Sequence, residues 1–307
     1  MKATALCHGA ATIITGFATG KGGAYGISLE NKTTVELNES KKIESIVNGE
    51  KDMGLVLAES AVKRTLEKFG LNYAGAKVTT ETDVPVAAGL KSSSIAANAI
   101  VLATAGAIAK EHGDVREVRL SKAESKQEII IKGENVKGID LINIGIDAAF
   151  DAKVTKTGAI DDASAAFFGG YTLTKNLERE IVYKGGMEEL NVLIYLPDRK
   201  IYSGSINPAD VKPFAKEVDL VWENALKGCI YQAITLNGLI HSVSFKLDPT
   251  PAVKALDAGA IAAGLSGTGP AVVALSRDDG ASIRDAWSDL EGNIIATKTN
   301  NVSARVI

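Results

Sequence analysis

The segment at residues 84–99, Val-Pro-Val-Ala-Ala-Gly-Leu-Lys-Ser-Ser-Ser-Ile-Ala-Ala-Asn-Ala, constrains the fold more than any other. Pro85 fixes its own φ and biases Val84 towards extended backbone, so a strand is expected to end there. Gly89 admits the sharp turn that follows, because glycine alone takes a positive φ without penalty. Three serines come next, and residues 95–109 behind them are almost all small or apolar, with Asn98 and Thr104 as the polar side chains. A helix without a polar face has to be buried on most sides, close against its neighbours. A strand, a glycine turn and a Ser-rich helix start also make an anion site. The first helical N–H groups have no internal partners, and the helix dipole adds positive potential at the same place. One serine would do for an ordinary cap; three on a glycine turn favour phosphate.

The rest of the chain reads as alternating strands and helices. Residues 9–27 predict strand, loop, strand. Within them Gly16-Phe-Ala-Thr-Gly20-Lys21-Gly22 falls short of a P-loop, with one residue too few between the glycines and no Ser or Thr after the lysine. A Walker-type nucleotide site is therefore disfavoured, and the Rossmann glycine spacing is missing too. Further expectations are a strand at 33–37, an amphipathic helix at 53–69 ended by Gly70, a strand at 78–84, and the buried helix to about residue 110. Residues 114–137 are rich in Lys and Glu and read as surface. A helix at 141–152 sets Asp147 and Asp151 on one face. A strand at 191–196 is stopped by Pro197. Helices are expected at 207–226, 230–241 and 249–258, with a closing helix around 285–290 and short strands at 294–298 and 302–306.

Composition removes several classes of function. A formal charge of −3 with no Lys/Arg cluster argues against a nucleic-acid partner. Cys7 and Cys229 offer no disulfide framework and suit a reducing, cytoplasmic location. The histidines at 8, 112 and 241 have no metal-ligand spacing. His8, Thr12 and Thr15 break the first apolar run, and no stretch of about 18 apolar residues follows, so no membrane partner is expected.

Residues 85–94 resemble the Pro-x-x-x-Gly-Leu-x-Ser-Ser motif of the GHMP kinases. Two further stretches carry the likeness: Asp161-Asp162-Ala-Ser-Ala-Ala-Phe-Phe-Gly169-Gly170, and Gly264-Leu-Ser-Gly267-Thr-Gly269-Pro270. Within that superfamily the whole chain is most similar to the archaeal type of shikimate kinase. The resemblance implies an α+β fold in two domains with the active site in the cleft between them. Residues 1–180 would form an N-terminal domain like ribosomal protein S5, and residues 181–307 a ferredoxin-like C-terminal domain.

It also implies ATP and Mg2+ as cofactors and a small-molecule acceptor, shikimate, with homoserine kinase as the alternative enzyme. The nucleotide would be held by Pro85, Val86, Ala87, Ala88, Gly89, Leu90, Lys91, Ser92, Ser93 and Ser94, faced by Gly267, Thr268 and Gly269. Counting back from the Gly-Gly pair puts Asp162 on the catalytic aspartate of mevalonate kinase-like members, with Asp161 as the neighbouring candidate. Eleven residues earlier, Asp151 falls on their magnesium-binding glutamate; Ser93 is the other expected metal ligand and Asp147 the runner-up to Asp151. The catalytic lysine of those members is replaced by Ala10 or Ala11, which makes Lys21 the substitute. Lys21, Lys91 and Lys156 are the candidates to meet the acceptor's carboxylate. The sequence carries no signal for oligomeric state.

Overall fold

The computed structural model describes residues 1–119, 125–155, 157–198 and 207–307. The chain starts with two long strands, β1 (Lys2–Ile14) and β2 (Lys21–Asn38), paired antiparallel across the turn at residues 15–20. Next come β3 (Ile43–Val47), β4 (Glu50–Lys51), helix α1 (Leu55–Lys68) and β5 (Gly75–Thr82). After the turn at residues 83–91, helix α2 runs Ser92–His112.

The charged stretch beyond it is not plain surface coil. It forms a separate three-stranded sheet from β6 (Gly113–Arg119), β7 (Ser125–Ile131) and β8 (Glu134–Val136). Ile129 and Ile131 are buried under its polar face. Helices α3 (Gly138–Asp151) and α4 (Ile160–Phe168) follow, then the hairpin β9 (Tyr171–Lys175) and β10 (Glu180–Gly185).

The main sheet has eight strands and is organised by β2, which pairs β1 along one edge and β9 and then β5 along the other. Against it lies α2. By length and composition this 21-residue helix, which holds an 18-residue window of mean hydropathy 1.5, would suffice to cross a bilayer. It is instead the core of the protein: β1, β2, α1, α3 and α4 enclose it. Ile95, Leu102 and Ile108 are fully buried, each contributing roughly 1.5–3 kcal/mol relative to exposure. The two polar side chains of its buried run each donate one hydrogen bond, and Asn98 Oδ1 is left without a partner among the described residues. Thr104 Oγ1 donates to the carbonyl of Ile100 (2.7 Å), and Asn98 Nδ2 donates to the carbonyl of Ala163 (2.8 Å). The second bond stitches α2 to α4, the two helices that carry the three serines and the two aspartates of the cleft.

The C-terminal part begins with β11 (Asn191–Leu196). Two 3-10 turns at Pro208–Asp210 and Lys212–Phe214 precede α5 (Ala215–Leu226), where one helix from 207 was expected; Pro213 removes a donor inside that stretch. Then come α6 (Ile230–Ser244), α7 (Thr250–Asp257), β12 (Ala262–Leu265), β13 (Val272–Ser276), α8 (Ala281–Ala286), β14 (Asn293–Lys298) and β15 (Arg305–Val306). Helix α8 ends at Ala286, so the closing helix lies earlier than residues 285–290.

A four-stranded antiparallel sheet, β12-β13-β11-β14, carries this part. The two sheets cut the chain differently from a break at 180/181. Strand β10 stays in the main sheet with β9, and β15 returns to pair β1.

Candidate active site

A cleft of about 360 Å³ opens where three turns meet: the β1–β2 turn, the turn into α2, and the Gly-rich turn between β12 and β13. Gly89 shows why the second turn needs its glycine. Its φ is +80°, and an added Cβ would run into the carbonyl oxygen of Ser266 in the third turn. That contact is held from both sides: Ser266 Oγ donates to the carbonyl of Gly89 (2.9 Å), and the Ala271 N–H donates to the carbonyl of Ala88 (3.2 Å). The glycine motifs of the two halves are thus one hydrogen-bonded unit.

Lys91 is the N-cap of α2, at φ +68°, and no side chain caps the helix. The Ile95 N–H is the first to bond back into the helix, to the Lys91 carbonyl (3.0 Å). Ser92, Ser93 and Ser94 line the cleft, so their N–H groups and hydroxyls sit at the positive end of a long helix. Gly267 and Thr268 line the cleft opposite.

Across from the serines, Asp161 and Asp162 occupy the first turn of α4, where the N-terminal dipole favours negative charge. Asp162 Oδ1 lies 2.9 Å from Lys91 Nζ, with the two side chains 15% and 9% exposed. The ammonium sits off the hydrogen-bonding directions of that oxygen, so the contact is one of charge. Asp161 is buried. Its carboxyl is pushed up to about 7, first by burial and then by the charge of Asp162, against the opposing pull of Lys91, the Asp162 N–H and Asn176. Two adjacent carboxyls here have different environments: one dry and raised above the usual carboxylate range, one beside a cation and open to the cleft.

A helix tip with unpaired donors, a carboxylate–lysine pair facing it and a glycine turn closing over both can hold a polyphosphate and manage a hydroxyl proton. Models of two domain families match the chain, GHMP kinases N terminal domain at residues 56–170 and GHMP kinases C terminal at residues 250–291. A shikimate kinase from Methanothermobacter thermautotrophicus is 39% identical over 308 residues, covering 100% of this chain and 99% of its own. The chain belongs to the GHMP kinase family. A shikimate kinase from Pyrococcus furiosus is 36% identical to this GHMP kinase, across 94% of this chain and 96% of its own. Among solved structures, a mevalonate kinase from Methanococcus jannaschii shares the fold with a TM-score of 0.72 at 15% identity, over 97% of this chain and 98% of its own. A homoserine kinase from Cytophaga hutchinsonii does so at 0.67 and 18%, over 100% and 97%.

Two of the sequence expectations for this kinase meet a different geometry. Lys21 leaves the cleft: its Nζ pairs with Asp219 of α5 (2.8 Å) and lies 5.1 Å from the Trp222 ring centre. The reason is strand alternation. Gly22 faces Asp161, so its neighbour Lys21 points to the other face of β2. The lysine beside the acid pair is Lys91.

Asp151, expected as a metal ligand, is exposed on the outer face of α3. Arg64 holds it through Nε (2.6 Å) and Nη2 (2.9 Å), and Ser60 donates to it as well. Those bonds, Arg64 first, bring its carboxyl down to about 2. Asp147 shares its face, as the i, i+4 spacing requires, and pairs with Arg179 (2.6 Å). The spacing is as read, but the face turns to α1 rather than to the cleft. Among the described residues no cluster of three His, Cys, Asp or Glu side chains has metal-binding geometry. Lys156 lies outside the described residues.

Some cleft residues had no signal in the sequence. Asn176, just beyond β9, reaches the site only because β9 pairs with β2. Lys153, Thr155 and Thr157 in the α3–α4 connection also line it. A second hollow, of about 500 Å³, lies on the outer face between β3 and α1 among exposed side chains such as Lys41, Lys42 and Glu44. It is remote from all three glycine turns.

Proposed function

We propose that this protein transfers the γ-phosphoryl group of ATP to the 3-hydroxyl of shikimate, giving shikimate 3-phosphate and ADP. The observation that carries the reading is the uncapped, triple-serine tip of α2 opening into the same cleft as the Asp162–Lys91 pair. Phosphoryl transfer asks a protein mainly for charge neutralisation and in-line positioning. In this reading the α2 N–H groups and the Ser92–Ser94 hydroxyls bind the nucleotide's phosphates, and the Gly267–Thr268 turn closes over them.

Asp162 accepts the proton of the acceptor hydroxyl. A carboxylate is a weak base towards an alcohol, so the proton leaves late, once the bond to phosphorus is forming. Lys91, with its Nζ 2.9 Å from Asp162 Oδ1, faces the same developing charge. Lys153 lines the cleft with no ion-pair partner among the described residues, and we assign it to the acceptor's carboxylate.

The donor set bears on Mg2+ as well. The Ser93 hydroxyl suits a hard cation that draws its remaining ligands from phosphate oxygens and water, whereas Asp151, held by Arg64, does not fit that role. Bound there, Mg2+ would supply further neutralisation of phosphate charge.

The test is a coupled ATPase assay with shikimate, homoserine and mevalonate offered separately. Turnover is expected with shikimate. Phosphorylation of homoserine but not shikimate overturns the substrate reading. Asp162→Asn is expected to cut kcat by about 10²–10⁴ with the KM for ATP little changed.

A further inference from the structure

The glycine turn at residues 16–22 looks like a phosphate loop and is not one, and what fills the space its glycines leave is Asn176. An added Cβ on Gly16 would lie 2.6 Å from Asn176 Nδ2, and one on Gly22 would lie 2.9 Å from it and collide with the Asp161 carboxylate. Asn176 is 3% exposed and fully committed. Its Nδ2 donates to Asp161 Oδ1 (3.0 Å), its Oδ1 accepts from Thr174 Oγ1 (2.7 Å), and its backbone N–H donates to the carbonyl of Gly20 (2.7 Å). In this orientation the amide oxygen meets the Thr174 hydroxyl and the amide nitrogen meets the Asp161 carboxylate, so donor faces acceptor at both ends.

We propose that Asn176 is a positioning residue for phosphoryl transfer, acting through Asp161 on Asp162, and that Gly16 and Gly22 are glycine to admit this pair. The proposal rests on the reading of Asp162 as proton acceptor. Asp161 and Asp162 are consecutive on α4, so holding one carboxyl by a directed bond orients the turn that presents the other. The bond also sets charge: a donated N–H favours ionised Asp161, while burial and Asp162 oppose it. The charged groups facing Asp161 are Asp162 on its own helix and Lys91 from the α2 tip. The flanking lysines of β2 and β9, Lys21 and Lys175, are paired elsewhere, with Asp219 and Glu180. Asn176 is thus the neutral donor that tunes the acid pair.

Asn176→Asp keeps the shape and removes the donor. It is expected to lower kcat for shikimate phosphorylation about tenfold or more while the KM for ATP stays within about threefold. The pH limb governed by the acid pair should move up by about one unit, the effect of losing a hydrogen bond to a charged group and adding a carboxylate. Asn176→Ser, which keeps a donor, should recover part of the rate. Gly16→Ala, whose Cβ would push the amide aside, should shift the limb the same way and serves if Asn176→Asp does not accumulate as folded protein. A folded Asn176→Asp with wild-type kcat and an unshifted profile overturns the proposal. Asp162→Asn run in parallel separates the two failures. If Asp162→Asn is inactive and Asn176→Asp is silent, only this inference falls; if Asp162→Asn keeps full rate, the reading beneath it falls too.

Discussion

Replacing Lys91 by Met removes one charge from the site and leaves the stem of the side chain in place. The magnitude follows from the geometry. Lys91 Nζ and Asp162 Oδ1 are 2.9 Å apart with 9% and 15% of their side chains exposed, so solvent screens the pair little. Two unit charges at that separation attract by about 6 kcal/mol at an effective dielectric of about 20. Desolvation of the ammonium offsets a share, and deleting one partner of a nearly buried pair costs roughly 3–5 kcal/mol. If about 3 kcal/mol of that acts on the transition state, kcat falls about 10²-fold. The pH profile should move as well, because Lys91 opposes the upward push on Asp161, and its loss lets the acid pair hold protons to higher pH.

The assay is steady-state phosphorylation of shikimate at saturating ATP from about pH 5 to 9. Lys91→Gly is the control for backbone effects. It relieves a left-handed φ of +68°, worth about 1 kcal/mol, yet should lose rate like the Met variant. A Lys91→Met enzyme within threefold of wild type, with the same pH profile, would refute the counter-charge argument.

Three further outcomes are expected. Gly89→Ala forces a Cβ against the Ser266 carbonyl at φ +80°, so the KM for ATP should rise about tenfold or more and thermal denaturation should show a Tm lower by several degrees. Asp151→Asn should leave the Mg2+ dependence of the rate unchanged within about twofold, because Arg64 already occupies that carboxylate; a tenfold shift of the Mg2+ midpoint would return Asp151 to the metal site. His241 is buried and its pKa is pushed from 6.5 down to about 4, so below pH 6.5 the unfolded chain takes up a proton that the folded chain refuses. Its contribution is complete above pH 6.5 and is lost as pH falls towards 4; urea denaturation at several pH values should show a shallower loss in His241→Gln.

How far the fold and site could be read in advance varies by feature. The turn-and-helix at residues 84–112, the ends of α1 and α3, and the stop of β11 before Pro197 were all legible. Each depends on the backbone preferences of a few neighbouring residues: a proline's fixed φ, a glycine's left-handed turn, an apolar run too long to stay wet. The three short strands between residues 113 and 136 were hidden by their charge. Their apolar residues are few, and burial of Ile129 and Ile131 comes from packing on α2.

The expected site residues that lie away from the cleft share a single cause. Asp151 was placed at the right helical spacing, but no local rule says whether that face meets the cleft or Arg64 of α1. Lys21 was recognised as a lysine among glycines, but the pairing of β2 with β9 decides that Gly22 looks at Asp161 and Lys21 away from it. Asn176 had no signal at all, being one asparagine after a strand until that same pairing carried it to Asp161.

The sequence by itself therefore determined that the chain has a serine-rich helix tip on a glycine turn, an acidic helix start and the alternation of strand and helix around them, because those are properties of short stretches. Only the tertiary structure decided which cation faces which carboxylate. An ion pair is chosen by sheet register and helix rotation, and contacts between residues far apart in the chain, such as Lys21 with Asp219, settle both.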